Sequence, residues 1–346
     1  MSERVEEKRG RSRYAGFRAT IKAVGTGRRG SRPLAFEEAR EAMRALLAGE
    51  TTDAQAGAFL IAMRMKGEEP EELAGIAQAL RDAAISRDPC ARSPVACAGA
   101  YDGVAESPQL SLAAAALAAA CGAPCVIHCG DSLGPKHGTT PAAVVEALGG
   151  NGRPGLERSR AMLEASGIGV VHSGEAIPGW QRLAEIRDEV GLRGPVHSAE
   201  KLVDHLGARR FVVGYAHQPF GPRLVGALDL LGSEAAIAVR GIEGSDVPRP
   251  GRPQASGDAA PELPQELGLR LPEHRSSPAD SAELTRAILS GEEGGGAAVA
   301  AALGAVLRLA AAGLCDSVDR GLAQVRAAIA GGGASARLEL MLEASS

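Results

Sequence analysis

The sequence predicts an α/β protein: a small N-terminal all-helical domain followed by a large α/β domain with a mainly parallel sheet. Three observations carry this. Residues 34–83 hold three successive segments with apolar residues at helical spacing. From about residue 93 the pattern switches to short apolar strands alternating with helices, which argues a parallel sheet covered by helices. The chain of 346 residues, 45% of them hydrophobic, supplies ample core for both units.

The first helix carries Phe36, Ala39, Met43, Leu46 and Leu47 on one face and stops at Gly49. The second opens at Thr52 with Gln55 three residues on, a capping-box spacing, and its apolar face reads Ala58, Ile61, Ala62 and Met65. The third starts Pro70-Glu71-Glu72, suited to a helix N-terminus, and runs on with Leu73, Ile76, Ala77 and Leu80. Strands are expected near Val95 and over 124–128, 168–172, 210–215 and 235–240. Between them helices are expected over 109–121, 141–148, 155–165, 178–190, 198–206 and 221–231. Residues 244–280, rich in Pro, Gly, Asp and Glu, read as a long surface loop with one weak strand. Four helices over 280–289, 297–312, 317–330 and 333–343 end the chain. The organisation expected is a basic arm over 1–15, a helical domain over 16–90 joined by helices near 178–206, and an α/β domain over 91–346.

No run of about 18 apolar residues occurs, so no membrane span is expected. The charged N-terminus does not read as a secretory signal, and a cytoplasmic location follows as the expectation. Of the six cysteines, Cys121, Cys125 and Cys129 recur every four residues, but no second ligand pair follows, so they read as small buried hydrophobes. Net charge is −4, yet residues 1–32 hold ten bases and three acids, +7, which leaves −11 for the rest. Arg9, Arg11, Arg13, Arg18, Lys22, Arg28 and Arg29 are therefore candidates for phosphate contact, against the alternative of a solvated tail.

In a parallel sheet ligands bind beyond the carboxyl ends of the strands. Three loops follow: 98–103, 128–139 and 240–246. Tyr215 and His217 end one strand, in position to face the cleft; His128 ends another and is a ligand-site candidate, against the alternative of a hydrogen-bonded structural histidine; Trp180 is expected to pack a domain interface.

The stretch LLAGETTDAQAGAFLIAMRMKGEEPEELAG (46–75), with AACGAPCVIH (119–128), VVEALGG (144–150), GIGVVHS (167–173), LTRAILSGE (284–292) and AGLCDSVDRGLAQVRAAI (312–329), resembles glycosyltransferase family 3, the anthranilate phosphoribosyltransferases, over residues 20–343. The resemblance implies that fold, a homodimer through the helical domain, and a phosphoribosyl-pyrophosphate site with magnesium. It also implies departures at that site. The family's glycine loop becomes Ala98-Gly99-Ala100-Tyr101-Asp102, ahead of Gly103, so Tyr101 stands where diphosphate would lie. Its Asn-x-Ser-Thr becomes Gln109-Leu110-Ser111-Leu112, and its Lys-His-Gly-Asn becomes Ile127-His128-Cys129-Gly130, without the lysine. Lys136-His137-Gly138-Thr139 takes the Ser/Gly-rich loop, where Lys136 partly replaces the lost charge. The magnesium pair Asp-Glu becomes Asp246-Val247. Arg187 aligns with the arginine that contacts anthranilate, or is a surface ion pair with its neighbours.

Further segments are similar to a paralogous branch of that family that binds nucleic acid without transferase activity: IKAVGTGRRGSRPL (21–34), GLRGPVHSAEKLVD (191–204), VVGYAHQPF (212–220), RGIEGSDVPRP (240–250) and Tyr101-Asp102-Gly103. Two functions are thus open. One is a non-catalytic binder of single-stranded or unspecific nucleic acid, with Tyr101 as a stacking platform and no cofactor. The other is a pentosyl or phosphoribosyl transferase on an aromatic or related acceptor, which would need magnesium.

Overall fold

The computed structural model describes residues 15–27, 29–273 and 276–346. The basic positions Arg9, Arg11, Arg13 and Arg28 lie outside the described residues. Arg18 and Lys22 lie on a helix that the sequence reading did not anticipate, α1 (Phe17–Gly25). Its Val24 is buried, and Phe17 meets Phe59 edge-on with ring centroids 5.5 Å apart. α1 therefore belongs to the helical domain. Deleting residues 1–32 would strip Phe59 of its cover as well as remove charge.

The helical domain continues with α2 (Phe36–Leu47), α3 (Asp53–Lys66) and α4 (Pro70–Ala83). Thr52 and Gln55 form the expected capping box at the start of α3. The buried face of α3 differs from expectation: it is Ala56, Phe59, Leu60 and Met63, while Ala58 faces solvent and Met65 is 79% exposed. The neighbours decide this, because α1 lies over Phe59. Glu72, fully buried on α4, ties the domain together. It accepts from the Leu34 N–H at 2.8 Å and the Glu69 N–H at 2.9 Å, and pairs with Lys66 at 2.6 Å.

A six-stranded sheet forms the second unit, in the order β3-β2-β1-β4-β5-β6. β1 (Val95–Ala98), β2 (Cys125–Cys129), β3 (Ile168–His172), β4 (Arg210–Tyr215) and β5 (Ala235–Arg240) are parallel; β6 (Ala255–Ser256), inside the expected surface loop, pairs antiparallel to β5. Helices α5 (Ser111–Ala120), α6 (Pro141–Ala147), α7 (Leu156–Ser166), α8 (Ser173–Ala176), α9 (Trp180–Val190), α10 (Val196–Ala199), α11 (Phe220–Leu230), α12 (Pro278–Ser290), α13 (Gly296–Ala311), α14 (Val318–Ala330) and α15 (Gly333–Ser345) complete the chain. One core joins the helical domain to one face of the sheet. The other lies under α5 and α13, whose many alanines let the helices approach closely.

Two expectations are corrected. The helix expected over 198–206 is broken into α10 and two 3₁₀ turns, because Val203 is extended and Leu206 takes φ 55°. The surface loop expected over 244–280 begins inside the protein: Ser245, Asp246 and Val247 are all buried.

Gly75 marks the tightest helix crossing. A Cβ there would lie 2.3 Å from the Phe36 carbonyl oxygen and 2.9 Å from Ala39 Cβ. Gly75→Ala is therefore expected to cost about 1–3 kcal/mol through overpacking between α2 and α4. Urea denaturation reads this as a lower midpoint at unchanged slope; an unchanged midpoint would show that the crossing has slack.

Candidate functional site

Tyr215 and Gly244, at or beyond the carboxyl ends of β4 and β5, open onto a cleft of about 690 Å³ between the sheet and the helical domain. Its lining includes Arg64, Lys136, Arg193, His197, Lys201, Tyr215, His217 and Phe220. Tyr215 and His217 thus face the cleft as the sequence suggested. Arg64, Lys136, Arg193 and Lys201 stand against one lining carboxylate, Glu68. Lys201 is buried and donates to the Gly214 carbonyl at 2.7 Å; burial pushes its ammonium down to about 8. Burial, then the surrounding cations, push the His197 pKa well down and keep its ring neutral.

The loops behind this cleft are closed on one another. Gly103 and Gly138 touch backbone to backbone: a Cβ on Gly103 would sit 2.5 Å from the Gly138 carbonyl, and one on Gly138 would sit 2.5 Å from Val104 O. Two hydrogen bonds between Val104 and Thr139, at 3.0 and 2.7 Å, and one from the Gly138 N–H to Asp102 O at 2.9 Å seal the contact. These glycines serve loop packing, and the Thr139 hydroxyl donates to the Ser276 carbonyl.

The charged candidates Asp102, Lys136, Arg187 and Asp246 each have a protein partner. Asp102 is held bidentately by Arg193, at 2.9 and 3.1 Å. Lys136 donates to Gly103 O, Glu243 O and the Glu243 carboxylate, at 3.0, 2.9 and 3.2 Å. Burial works against that carboxylate, but the Ala105 and Glu106 N–H groups and Lys136 hold its pKa below the usual range. Arg187 forms neither a surface pair nor an open contact. It binds the fully buried Glu200 at 2.6 and 3.2 Å and lies over the Trp180 ring at 5.4 Å. Asp246 is bonded to Ser111 through one oxygen and to Arg308 of α13 through the other; the Asp246 and Arg308 side chains are 1% and 0% exposed.

Two expectations fail here. Tyr101 is buried against Trp180, with ring centroids 6.0 Å apart and its hydroxyl 3.4 Å from Glu200 O, so it stacks on the core and is closed to a base or diphosphate. His128 does not face the cleft. Its ring lies edge-on to His205 at 4.7 Å, buried, with both nitrogens unpartnered among the described residues. Alternation along β2 explains this: His128 points to the same face as Val126, under the helical domain.

A model of the glycosyl transferase family helical bundle domain matches residues 18–84, and one of its a/b domain matches residues 103–254. An anthranilate phosphoribosyltransferase of Thermus thermophilus is 33% identical over 88% of this chain and 93% of its own length. An uncharacterized protein of Aquifex aeolicus is 30% identical over 84% of this chain and 92% of its own. The chain is a member of glycosyl transferase family 3. The crystal structure of an anthranilate phosphoribosyltransferase from Thermus thermophilus superposes with a TM-score of 0.81 at 29% identity, covering 94% of this chain and 98% of that one. The Saccharomyces cerevisiae enzyme in complex with PRPP and Mg shares the fold, with a TM-score of 0.77 at 17% identity and the same coverage.

Magnesium, which the family implies, does not fit the donors this family 3 chain presents. Both Asp246 oxygens are engaged, and the next residue is the buried, apolar Val247. Four features escaped the sequence reading: Arg193, Lys201, Glu200 and Arg308. The first three fall in GLRGPVHSAEKLVD, which resembled the paralogous branch. Arg308, a lone arginine in an alanine-rich helix, was the signal that a buried charge needed a partner.

Arg308→Met is expected to cost about 3–5 kcal/mol, because it strands a buried carboxylate. Adding Asp246→Leu should recover much of that loss in a denaturant double-mutant cycle; additive losses would contradict the pairing. His205 gives a second expectation. Burial, with Arg81 and Arg87 nearby, pushes its pKa down to about 3. The unfolded state then takes up the proton first, so stability is full above about pH 6.5 and falls as pH drops toward 3, by about 2 kcal/mol at pH 5. His205→Gln should flatten that slope in denaturation curves; an unaltered slope would assign it elsewhere.

Proposed function

We propose that this chain is a family 3 member that has lost phosphoribosyl transfer to anthranilate and binds single-stranded nucleic acid at the cleft between its domains. The observation that carries the loss is the pairing of charges: Asp102 with Arg193, Lys136 with Glu243, Arg187 with Glu200 and Asp246 with Arg308. A donor bearing diphosphate needs free cations and an open metal site to meet the charge that develops as pyrophosphate leaves. Here each such group would first have to break an ion pair, leaving a desolvated charge behind.

Nucleic acid asks for less: cations tracking a phosphate backbone and flat faces for bases. The cleft offers the Arg64 guanidinium together with Tyr215, His217 and Phe220. The remaining surface is acidic, so contact must be local. The +7 of residues 1–32 is a second source of phosphate contacts in this reading. A homodimer through the helical domain is part of the proposal, and light scattering should give twice the 35.3 kDa chain mass.

Fluorescence anisotropy with a labelled single-stranded oligonucleotide tests the reading. Binding should weaken steeply with salt, with a log–log slope of about −0.7 per phosphate neutralised. Arg64→Glu should weaken binding and flatten that slope. Deletion of residues 1–14, which stops short of α1, should do the same. In parallel, anthranilate fluorescence with donor and magnesium should show no consumption. Turnover of about one per second, in the ordinary enzyme range, would instead establish the transferase reading, and absence of oligonucleotide binding at low salt would remove the nucleic-acid one.

A further inference from the structure

The basic residues of this chain are very unevenly chosen. It has 33 arginines and five lysines: Lys8, Lys22, Lys66, Lys136 and Lys201. Where charge alone is required, this sequence uses arginine. Two of the five lysines nevertheless line the cleft. Lys136 is consumed by two carbonyls and Glu243. Lys201 is not consumed in this way: the neighbouring Glu200 is taken by Arg187, and the hydrogen bond of Lys201 among the described residues goes to one neutral carbonyl, Gly214 O. An ammonium has three donors, and a buried one with a single neutral acceptor is poorly compensated. A primary amine can do what a guanidinium cannot, which is to attack a carbonyl and form an imine.

We propose that Lys201 is a nucleophilic amine that forms an imine with a phosphorylated aldehyde bound in the cleft. The nitrogen lone pair attacks the aldehyde carbon, a C–N bond forms as the C=O π bond opens, and the proton lost from nitrogen passes to the oxygen. The carbinolamine then loses water to give C=N, with no change of oxidation state and no co-reactant. His197, one helical turn before Lys201, lines the same cleft and is held neutral, as the carrier of that proton must be. Arg64 lines the same cleft to receive the phosphate, and Tyr215 and Phe220 line it to meet the organic part. Burial of the amine, which pushes it down to about 8, leaves a far larger uncharged fraction near neutral pH than an exposed lysine has. The inference uses the cleft of the proposed function but does not depend on nucleic acid binding there.

Pyridoxal 5′-phosphate is the probe, at equimolar concentration with the intact protein near pH 7, followed by cyanoborohydride and peptide mass mapping. One adduct per chain is expected, at Lys201, formed roughly a hundredfold faster than at the other four lysines. Lys201→Arg should abolish it. Because the mapping is made on the unmodified sequence, the result stands even if that variant fails to fold. Pyridoxal, without the phosphate, should react at Lys201 at least tenfold more slowly. Labelling spread evenly over the five lysines, or absent from Lys201, would overturn the proposal. Oligonucleotide binding measured on the same sample separates the two readings. Binding without an adduct removes only this inference, and an adduct without binding removes only the nucleic-acid reading.

Discussion

The ion pair between Asp246 and Arg308 fixes more of this protein than any other contact. Arg308 lies on α13, in an alanine-rich apolar layer, and is fully buried. A guanidinium in that position is tolerable only with a carboxylate against it. Asp246 supplies it, and also draws Ser111, at the start of α5, into the same bond network. The loop after β5 is thereby pulled under β1 and cannot turn outward to a ligand. A residue at the place where a metal ligand would stand has become part of the core.

The same substitution of internal for external partners recurs around the cleft. Arg193 reaches across from the helical-domain side to Asp102, Lys136 folds back onto Glu243, and Glu200 takes Arg187. The Gly103 and Gly138 loops, which need bare backbone to approach one another, meet directly. Together these contacts satisfy the charges of the loops within the chain. The cleft between β4, β5 and α3 has a cationic and aromatic lining, and a smaller pocket of about 420 Å³ lies over the loop of Gly130, Ser132 and Gly138.

Much of the fold was legible in the sequence because its signals are local. The five parallel strands and the capping box at Thr52 follow from apolar periodicity and cap chemistry. What was not legible depended on which element lies opposite. The buried face of α3 is set by α1, whose short polar-flanked segment gave no clear period. His128 is turned from the cleft by strand alternation. Tyr101 stood out as a residue, but its sequence context could not say whether the ring points to ligand or to Trp180. Asp102, Arg187 and Asp246 were legible as residues, and their partners Arg193, Glu200 and Arg308 were not. Asp102 lies 91 positions from Arg193 and Asp246 lies 62 from Arg308, separations at which no local pattern survives.

The central claim is that the groups that would meet a phosphoribosyl donor are already satisfied within the chain. Titration calorimetry of phosphoribosyl pyrophosphate into the protein, with and without magnesium, tests this most directly. The account predicts no saturable, magnesium-dependent heat up to about millimolar donor, equivalent to a binding free energy weaker than about −4 kcal/mol. Magnesium-dependent binding at micromolar donor would contradict it, because that affinity requires a free carboxylate and free cations that this structure holds in pairs.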